Sequence, residues 1–260
     1  MDVSTLSAPE NWRGSTPSPQ SGRAEVTRTM GSDSQITKRL SADLHTEVLP
    51  PQTQEAFKAC INFPSLEKDW YLAGGTALAL QVGHRSSEDL DFFTPQKDFD
   101  IERLERLIPV IGDWETTQTE RATLYGILQG ASVSFIAYPF YQPSNNRIYC
   151  GAIHMLLPDD IMAMKIVAVS QRGKKRDFVD LYWYLAVHGA SLSATIQRTL
   201  EQFPDRQHSV PHFLKSLVYF DDAEDDPMPK LHFETDWETI KVYFKKEVPK
   251  ITKELVGLTD

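Results

Sequence analysis

Residues 71–93 read YLAGGTALALQVGHRSSEDLDFF, and the fold turns on how this stretch is read. The apolar and aromatic run Trp70 to Ala73 ends in Gly74-Gly75, which reads as a short buried strand followed by a tight turn. The next residues, TALALQVGH, suit a short helix with Thr76 as a candidate N-cap. EDLDFF then reads as the following strand, with Asp89 and Asp91 at i and i+2. In a strand both carboxylates point to one face, while Leu90 and Phe92 point to the other.

Two carboxylates so close together repel unless something positive sits between them. Mg²⁺ is the usual solution, because it takes oxygen ligands and leaves room for substrate phosphates. The acid pair therefore reads as half of a metal site for phosphate chemistry. Gly74 and Gly75 let the backbone approach a ligand closely. Between a strand and a helix they aim backbone N–H groups and the positive helix end at an anion, and the Thr76 hydroxyl adds a donor. Phosphate held beside a metal is the minimum apparatus for nucleotidyl transfer. Taken singly, a D-x-D usually marks a solvated strand end and a Gly-Gly only a turn. The order strand, glycine pair, helix, acid pair carries the functional reading.

The rest of the chain sets bounds. Its 260 residues make one large domain or two small ones, and 41% hydrophobic residues suffice for a core. Two cysteines, Cys60 and Cys150, form no disulfide framework and fit a reducing compartment. No apolar run is long enough to span a bilayer, and no secretory signal opens the chain, so a cytoplasmic protein without membrane contact is expected. The net charge of −9 argues against a broad nucleic-acid footprint.

Residues 1–40, rich in Ser, Thr, Pro and Gly, are expected to be a disordered tail. Residues 41–157 read as a mixed α/β core. TTQTERATLYGIL and ASVSFIAYPF form two strands joined at Gln129-Gly130, and IYCGAIHMLLPDD forms one more strand leading into a helix. From Asp159 the chain turns helical, so residues 158–260 read as a helical C-terminal domain. The expected class is α+β: a small mixed sheet with flanking helices, then helices alone.

AGGTALALQVGHRSSEDLDFF resembles the nucleotidyltransferase signature, and more narrowly the GGTAL…GHR…DLDFF run of the AbiEii/AbiGii toxin family. DDIMAMKIVAVSQRGKKRDFVDLYWYL is similar to that family's second motif, and LVYFDDAEDDPMP with WETIK to its C-terminal signature. The resemblance runs from about Glu55 to Phe244. It implies a polymerase-β-like minimal nucleotidyltransferase fold, nucleotide transfer from an NTP with Mg²⁺, and a toxin opposed by a separately encoded antitoxin, as in abortive infection. By position it gives Gly74, Gly75 and Thr76 to the triphosphate, Asp89 and Asp91 to the metal, Lys165 to the phosphates, and a functional role to Asp177. A tRNA end, or another RNA, is the acceptor it suggests.

Lys165 also interrupts the apolar run IMAMKIVAV, where a snorkelling lysine would do as well. Asp177 and Asp180 share a helix face, and an ion pair with Arg172, Lys175 or Arg176 competes with a catalytic role. The cluster QRGKKR suits an RNA contact or a solvated turn. His84 reads as a structural residue at a helix end, Arg85 as a phosphate contact or a partner of Glu88, and FDDAEDDP as a solvated acidic loop, since it lacks the turn glycine of a cation loop. One position departs from the common pattern: where a third carboxylate is expected on a later strand stands Ser134, a poor base and weak metal ligand. That leaves two rivals to an RNA-modifying enzyme: a nucleotide-binding module acting through a partner, and a nucleotidyltransferase for small molecules such as antibiotics.

Overall fold

The computed structural model describes residues 39–40, 43–204 and 209–255. The expected tail lies outside these residues except at its last two, which form a strand. In chain order the elements are β1 (Arg39–Leu40), α1 (Pro51–Ile61), β2 (Tyr71–Ala73), α2 (Gly74–Val82), β3 (Leu90–Thr94), α3 (Ile101–Leu107), β4 (Trp114–Glu120), β5 (Thr123–Leu128), β6 (Ala131–Ala137), β7 (Arg147–Cys150) and β8 (Ile153–Leu156). The helices α4 (Pro158–Gln171), α5 (Lys175–Tyr182), α6 (Leu192–Gln202), α7 (Val210–Ser216), α8 (Asp221–Glu224) and α9 (Trp237–Leu255) follow. The eight strands form one mixed sheet in the order β1-β7-β8-β2-β3-β6-β5-β4. This is the α+β arrangement expected: a mixed sheet followed by helices alone.

At the centre, β2 runs antiparallel to β3 and parallel to β8, and β3 runs parallel to β6. Burial along β3 alternates: Leu90, Phe92 and Thr94 are buried, while Asp91 and Phe93 sit on the part-open face. α2 is apolar all round and buries Ala77, Leu78, Ala79 and Leu80 completely, the mark of a core helix. It stops at Gly83, which takes the left-handed conformation with φ 67°. α4 packs against α2, α5, α6 and α7. The described residues from Arg39 onward belong to a single compact unit.

Three local expectations differ from the structure. Thr76 does not cap α2, because the helix begins at Gly74 with Ala73 in the cap position. TTQTERATLYGIL is two strands rather than one. Ala122, with φ 60°, turns β4 into β5, so β4, β5 and β6 make a meander. The turn at Gln129-Gly130 joins β5 to β6 as expected, with φ 51° and 81°. IYCGAIHMLL also holds two strands, because Gly151 at φ 55° folds β7 back on β8. Both missed turns lack the Asn-Gly or Asp-Gly pair that announces such a turn.

The helical half is closed by aromatic rings. Phe178 meets Phe220, Trp237 and Phe244 at 5.2–5.7 Å. The acidic run after Phe220 is exposed, as expected, at Asp221, Asp222, Glu224 and Asp225, but it begins as the short helix α8 and two of its acids clamp neighbouring elements. Asp226 accepts from the Lys175 backbone N–H at 3.0 Å and pairs with Lys174, and Glu224 binds Trp237 and Lys241. No helix among the described residues is long and apolar enough to cross a membrane.

Candidate active site

A cleft of about 390 Å³ opens where α2, β3, β6, α4 and α5 meet. Gly74, Gly75, Thr76, Asp89, Asp91, Lys165 and Asp177 all line it, so the sequence-predicted residues converge from four elements and one loop. The register explains part of this. Ala73, which leads into the glycines, pairs with Asp91, and Asp91 pairs with Ser134.

Gly74 has φ 74°, a conformation open to glycine, and a side chain there would stand 3.2 Å from Asp91 Oδ2. At Gly75 the crowding has another source. A Cβ would fall 2.1 Å from Arg85 Nη2, so this glycine makes room for a guanidinium. The Thr76 hydroxyl, expected to face a phosphate, binds Ser87 Oγ at 2.8 Å and the Asp89 carbonyl. It thereby ties α2 to the loop that carries the first acid.

That loop is fixed almost residue by residue. The Ser86 N–H donates to the Lys230 carbonyl at 2.9 Å, and the Ser87 N–H to that of Val48 at 3.3 Å. Thr53 Oγ1 donates to the Glu88 carbonyl at 2.9 Å. Asp89 is thus held just ahead of β3 although its own side chain is 42% exposed. Such outer support is what keeps a functional group in place.

Asp91 receives a hydrogen bond from Ser134 Oγ to Oδ1 at 2.6 Å. Burial pushes its carboxyl above the usual carboxylate value, the Ser134 bond opposes this, and the Asp89 charge adds to the rise. Ser134 thus stands beside Asp91 where a third carboxylate was expected, and orients the acid instead of joining it.

Behind the cleft lies a buried ion network centred on Asp180. His84 Nε2 lies 2.7 Å and Arg85 Nε 2.6 Å from Asp180 Oδ1, and Arg85 Nη2 donates to Oδ2 at 3.0 Å. Lys165 Nζ bridges Asp177 Oδ1 at 2.6 Å and Asp180 Oδ2 at 2.7 Å. Burial alone would raise the Asp180 carboxyl, but the Arg85 and Lys165 charges and the hydrogen bonds from His84 and Arg85 hold it well below the usual range. Burial pushes His84 below its ordinary value against the pull of Asp180. A neutral ring that donates from Nε2 fits the absence of a hydrogen bond at its buried Nδ1. Arg85 therefore pairs with Asp180, not Glu88. Lys165 does not snorkel: its charge is fixed between two acids at the cleft wall. Of the ion pairs foreseen for Asp177 as the alternative to catalysis, the structure shows the one with Arg172 Nη2, which stands 3.7 Å from its Oδ2; its closer pair, with Lys165, was not foreseen.

Residues that sequence reasoning passed over are Arg172 and Arg176 as cleft residues, with Ser87, Tyr125 and Tyr138 on the walls. The signal for the arginines was the basic run QRGKKR, read as a turn, an RNA contact or a source of ion-pair partners for Asp177. Nothing local marked Tyr125, which reaches the site because β5 lays it beside Ser134.

The cleft offers three carboxylates, Asp89, Asp91 and the ion-paired Asp177, with a helix start and four cations. Among the described residues no three His, Cys, Asp or Glu gather as a metal cage. Mg²⁺ does not need one, since it binds through one or two carboxylates and takes its other ligands from phosphates and water. Asp89 and Asp91 therefore suit that ion.

A protein of Aquifex aeolicus (strain VF5), described as uncharacterized, is 34% identical over 204 residues, which are 77% of this chain and 96% of that protein. The nucleotidyltransferase toxin MenT4 of Mycobacterium tuberculosis H37Rv shares the fold, with a TM-score of 0.52 at 14% identity over 80% of this chain and 87% of that one. JHP933 of Helicobacter pylori matches with a TM-score of 0.45 at 18% identity, over 81% and 96% of the two chains. The family described as "Nucleotidyl transferase AbiEii toxin, Type IV TA system" matches residues 56–144 and 150–254. The chain thus belongs to the AbiEii toxin family and is a nucleotidyltransferase of the type IV toxin–antitoxin class.

Proposed function

We propose that this toxin moves a nucleotide from an NTP to the hydroxyl of an RNA acceptor, a tRNA end being the first choice, in a Mg²⁺-dependent reaction. The observation that carries the reading is the convergence of the Gly74-Gly75 helix start, the Asp89/Asp91 pair and Lys165 on one cleft. Backbone N–H groups at the start of α2 offer donors to phosphate oxygens. Lys165, fixed by Asp177 and Asp180, sets a positive charge beside them. Asp89 and Asp91 would hold Mg²⁺, which supplies neutralising charge to the phosphates when bound. Ser134 keeps one oxygen of Asp91 occupied and leaves the other toward Gly74.

The acceptor hydroxyl attacks the α-phosphorus in line. The new O–P bond forms as the α–β bridge breaks, and pyrophosphate leaves. With Ser134 in place of a third acid, the hydroxyl proton goes to an acid already in the cleft or to solvent. A cytoplasmic site of action and a separately encoded antitoxin complete the reading. The type IV toxin–antitoxin family supports the antitoxin partner.

The test incubates the protein with Mg²⁺, total RNA and each α-labelled NTP, beside the Asp89→Asn/Asp91→Asn double variant. Label on RNA from the native protein only is the expected result. NTP binding without label on any RNA would overturn the RNA reading. It would favour a nucleotide-binding module acting through a partner, for which Ser134 beside Asp91 is the motive. Label on an added aminoglycoside would instead identify a small-molecule acceptor, as the net charge of −9 would suit.

A further inference from the structure

Four cations line the nucleotide cleft, and they are held very differently. Arg85 is locked on Asp180 with its side chain 4% exposed, and Lys165 is locked between two acids at 8%. Arg172 and Arg176 are 53% and 49% exposed. Arg176 reaches Asp89 Oδ2 from Nη1 at 3.4 Å, a long, half-exposed contact of the kind that holds weakly. It also has room on both sides, because a second cleft of about 520 Å³ shares Arg85, Ser87, Asp89 and Arg176 with the first.

The backbone of Arg176 is not correspondingly loose. It sits in the first turn of α5, where Asp226 holds the Lys175 N–H and Lys174, and the Lys175 ammonium donates to the Glu224 carbonyl at 2.9 Å. A long side chain on a clamped backbone, loosely paired to Asp89, is suited to change partners.

Resting on the nucleotidyl-transfer reading above, we infer that Arg176 exchanges partners during nucleotide binding: its guanidinium leaves Asp89 and takes the phosphates of the incoming nucleotide. A divalent cation and the guanidinium compete for the same Asp89 oxygen, so the cation releases Arg176. The released fork faces a polyphosphate, the geometry a planar guanidinium binds best. Arg176 is thus a rival of the metal on Asp89 and a ligand of the substrate, two roles with opposite signatures in binding.

The test measures Mn²⁺ affinity without nucleotide, and affinity for a non-hydrolysable NTP analogue with Mn²⁺, for the native protein, Arg176→Gln, Arg176→Lys and Arg172→Gln. Arg176→Gln is expected to bind Mn²⁺ alone more tightly, by up to about fivefold, the reach of an exposed ion pair. It is expected to bind the analogue about 10–100-fold more weakly, the loss of a charged hydrogen bond. Arg176→Lys should recover part of the analogue affinity, and Arg172→Gln should leave Mn²⁺ binding alone unchanged. A merely structural role would weaken both ligands together, and that result, or unaltered analogue affinity in Arg176→Gln, overturns the inference. Unaltered analogue affinity in Arg176→Gln, together with loss of Mn²⁺ binding in Asp89→Asn/Asp91→Asn and RNA labelling by the native protein, would show the transfer reading standing while this inference fails.

Discussion

Replacing Gly75 by alanine tests whether that glycine serves the Arg85 guanidinium. The added Cβ would lie 2.1 Å from Arg85 Nη2 and 3.2 Å from its Cζ, whereas the contact to Ser87 Oγ, at 3.5 Å, is ordinary. Non-bonded carbon contacts settle at about 3.5–4.0 Å, so the guanidinium must retreat by about 1.5 Å. Its bonds to Asp180, now 2.6 and 3.0 Å, cannot both survive that shift. Overpacking costs about 1–3 kcal/mol and a lost charge-assisted bond about 1.5–3, so the expected loss is about 3–5 kcal/mol. At about 2–4 °C per kcal/mol, the melting temperature should fall by about 6–20 °C.

The assay is urea unfolding of Gly75→Ala, Arg85→Ala and the double variant. Gly75 is a helix residue without a positive φ, where alanine is intrinsically better by up to about 1 kcal/mol. Once Arg85 is truncated, the same Gly75→Ala change should become neutral or mildly stabilising. This reversal of sign is specific to the clash. Additive costs within about 0.5 kcal/mol would refute the reasoning, because they would show that Gly75 is needed for something other than room for Arg85.

Asp91→Asn should abolish nucleotide transfer yet stabilise the protein by about 0.5–2 kcal/mol, the usual exchange at a strained active site, read as a raised melting temperature; a destabilised variant would sink this expectation. The gain should depend on pH. Burial raises the folded Asp91 carboxyl above 3.8, so native stability falls as pH rises through that window, and the advantage of Asn should be full at neutral pH and vanish in acid. Asp180 runs the other way. Its folded pKa is depressed, so its contribution is present above the unfolded value of 3.8 and is lost as pH falls toward the folded one. Asp180→Ala should cost about 3–5 kcal/mol at neutral pH, because Arg85 loses its bidentate partner in the core, and a denaturant midpoint within error of native would contradict the network. Ser134→Ala removes the bond that lowers the Asp91 carboxyl, so the acidic limb of the transfer rate should move to higher pH; an unmoved limb would show that Asp91 ionisation does not govern it.

The sequence by itself determined the local facts of this protein. Ala73-Gly74-Gly75 marks where a strand becomes a helix, and the alternation of Leu90, Phe92 and Thr94 against Asp91 and Phe93 sets one face of β3 to the core. These are period and backbone effects, settled within a few residues. Family resemblance then linked Lys165 and Asp177 to the glycines across a gap that no periodicity bridges. Turns without a glycine or asparagine signal stayed hidden, as at Ala122.

What only the tertiary structure decided was partnership. That Gly75 yields to a guanidinium, that Thr76 holds the Asp89 loop, and that Ser134 orients Asp91 depend on contacts 10 to 43 residues apart in sequence. The hub at Asp180 joins His84 and Arg85 to the acid across 96 and 95 residues. A charge's partner is chosen by burial, because desolvation punishes an unpaired ion far more in the core than at the surface. Burial belongs to the packed chain: it locks Lys165 and Arg85 behind the cleft and leaves Arg176 at its mouth, although in sequence all three are simply cations.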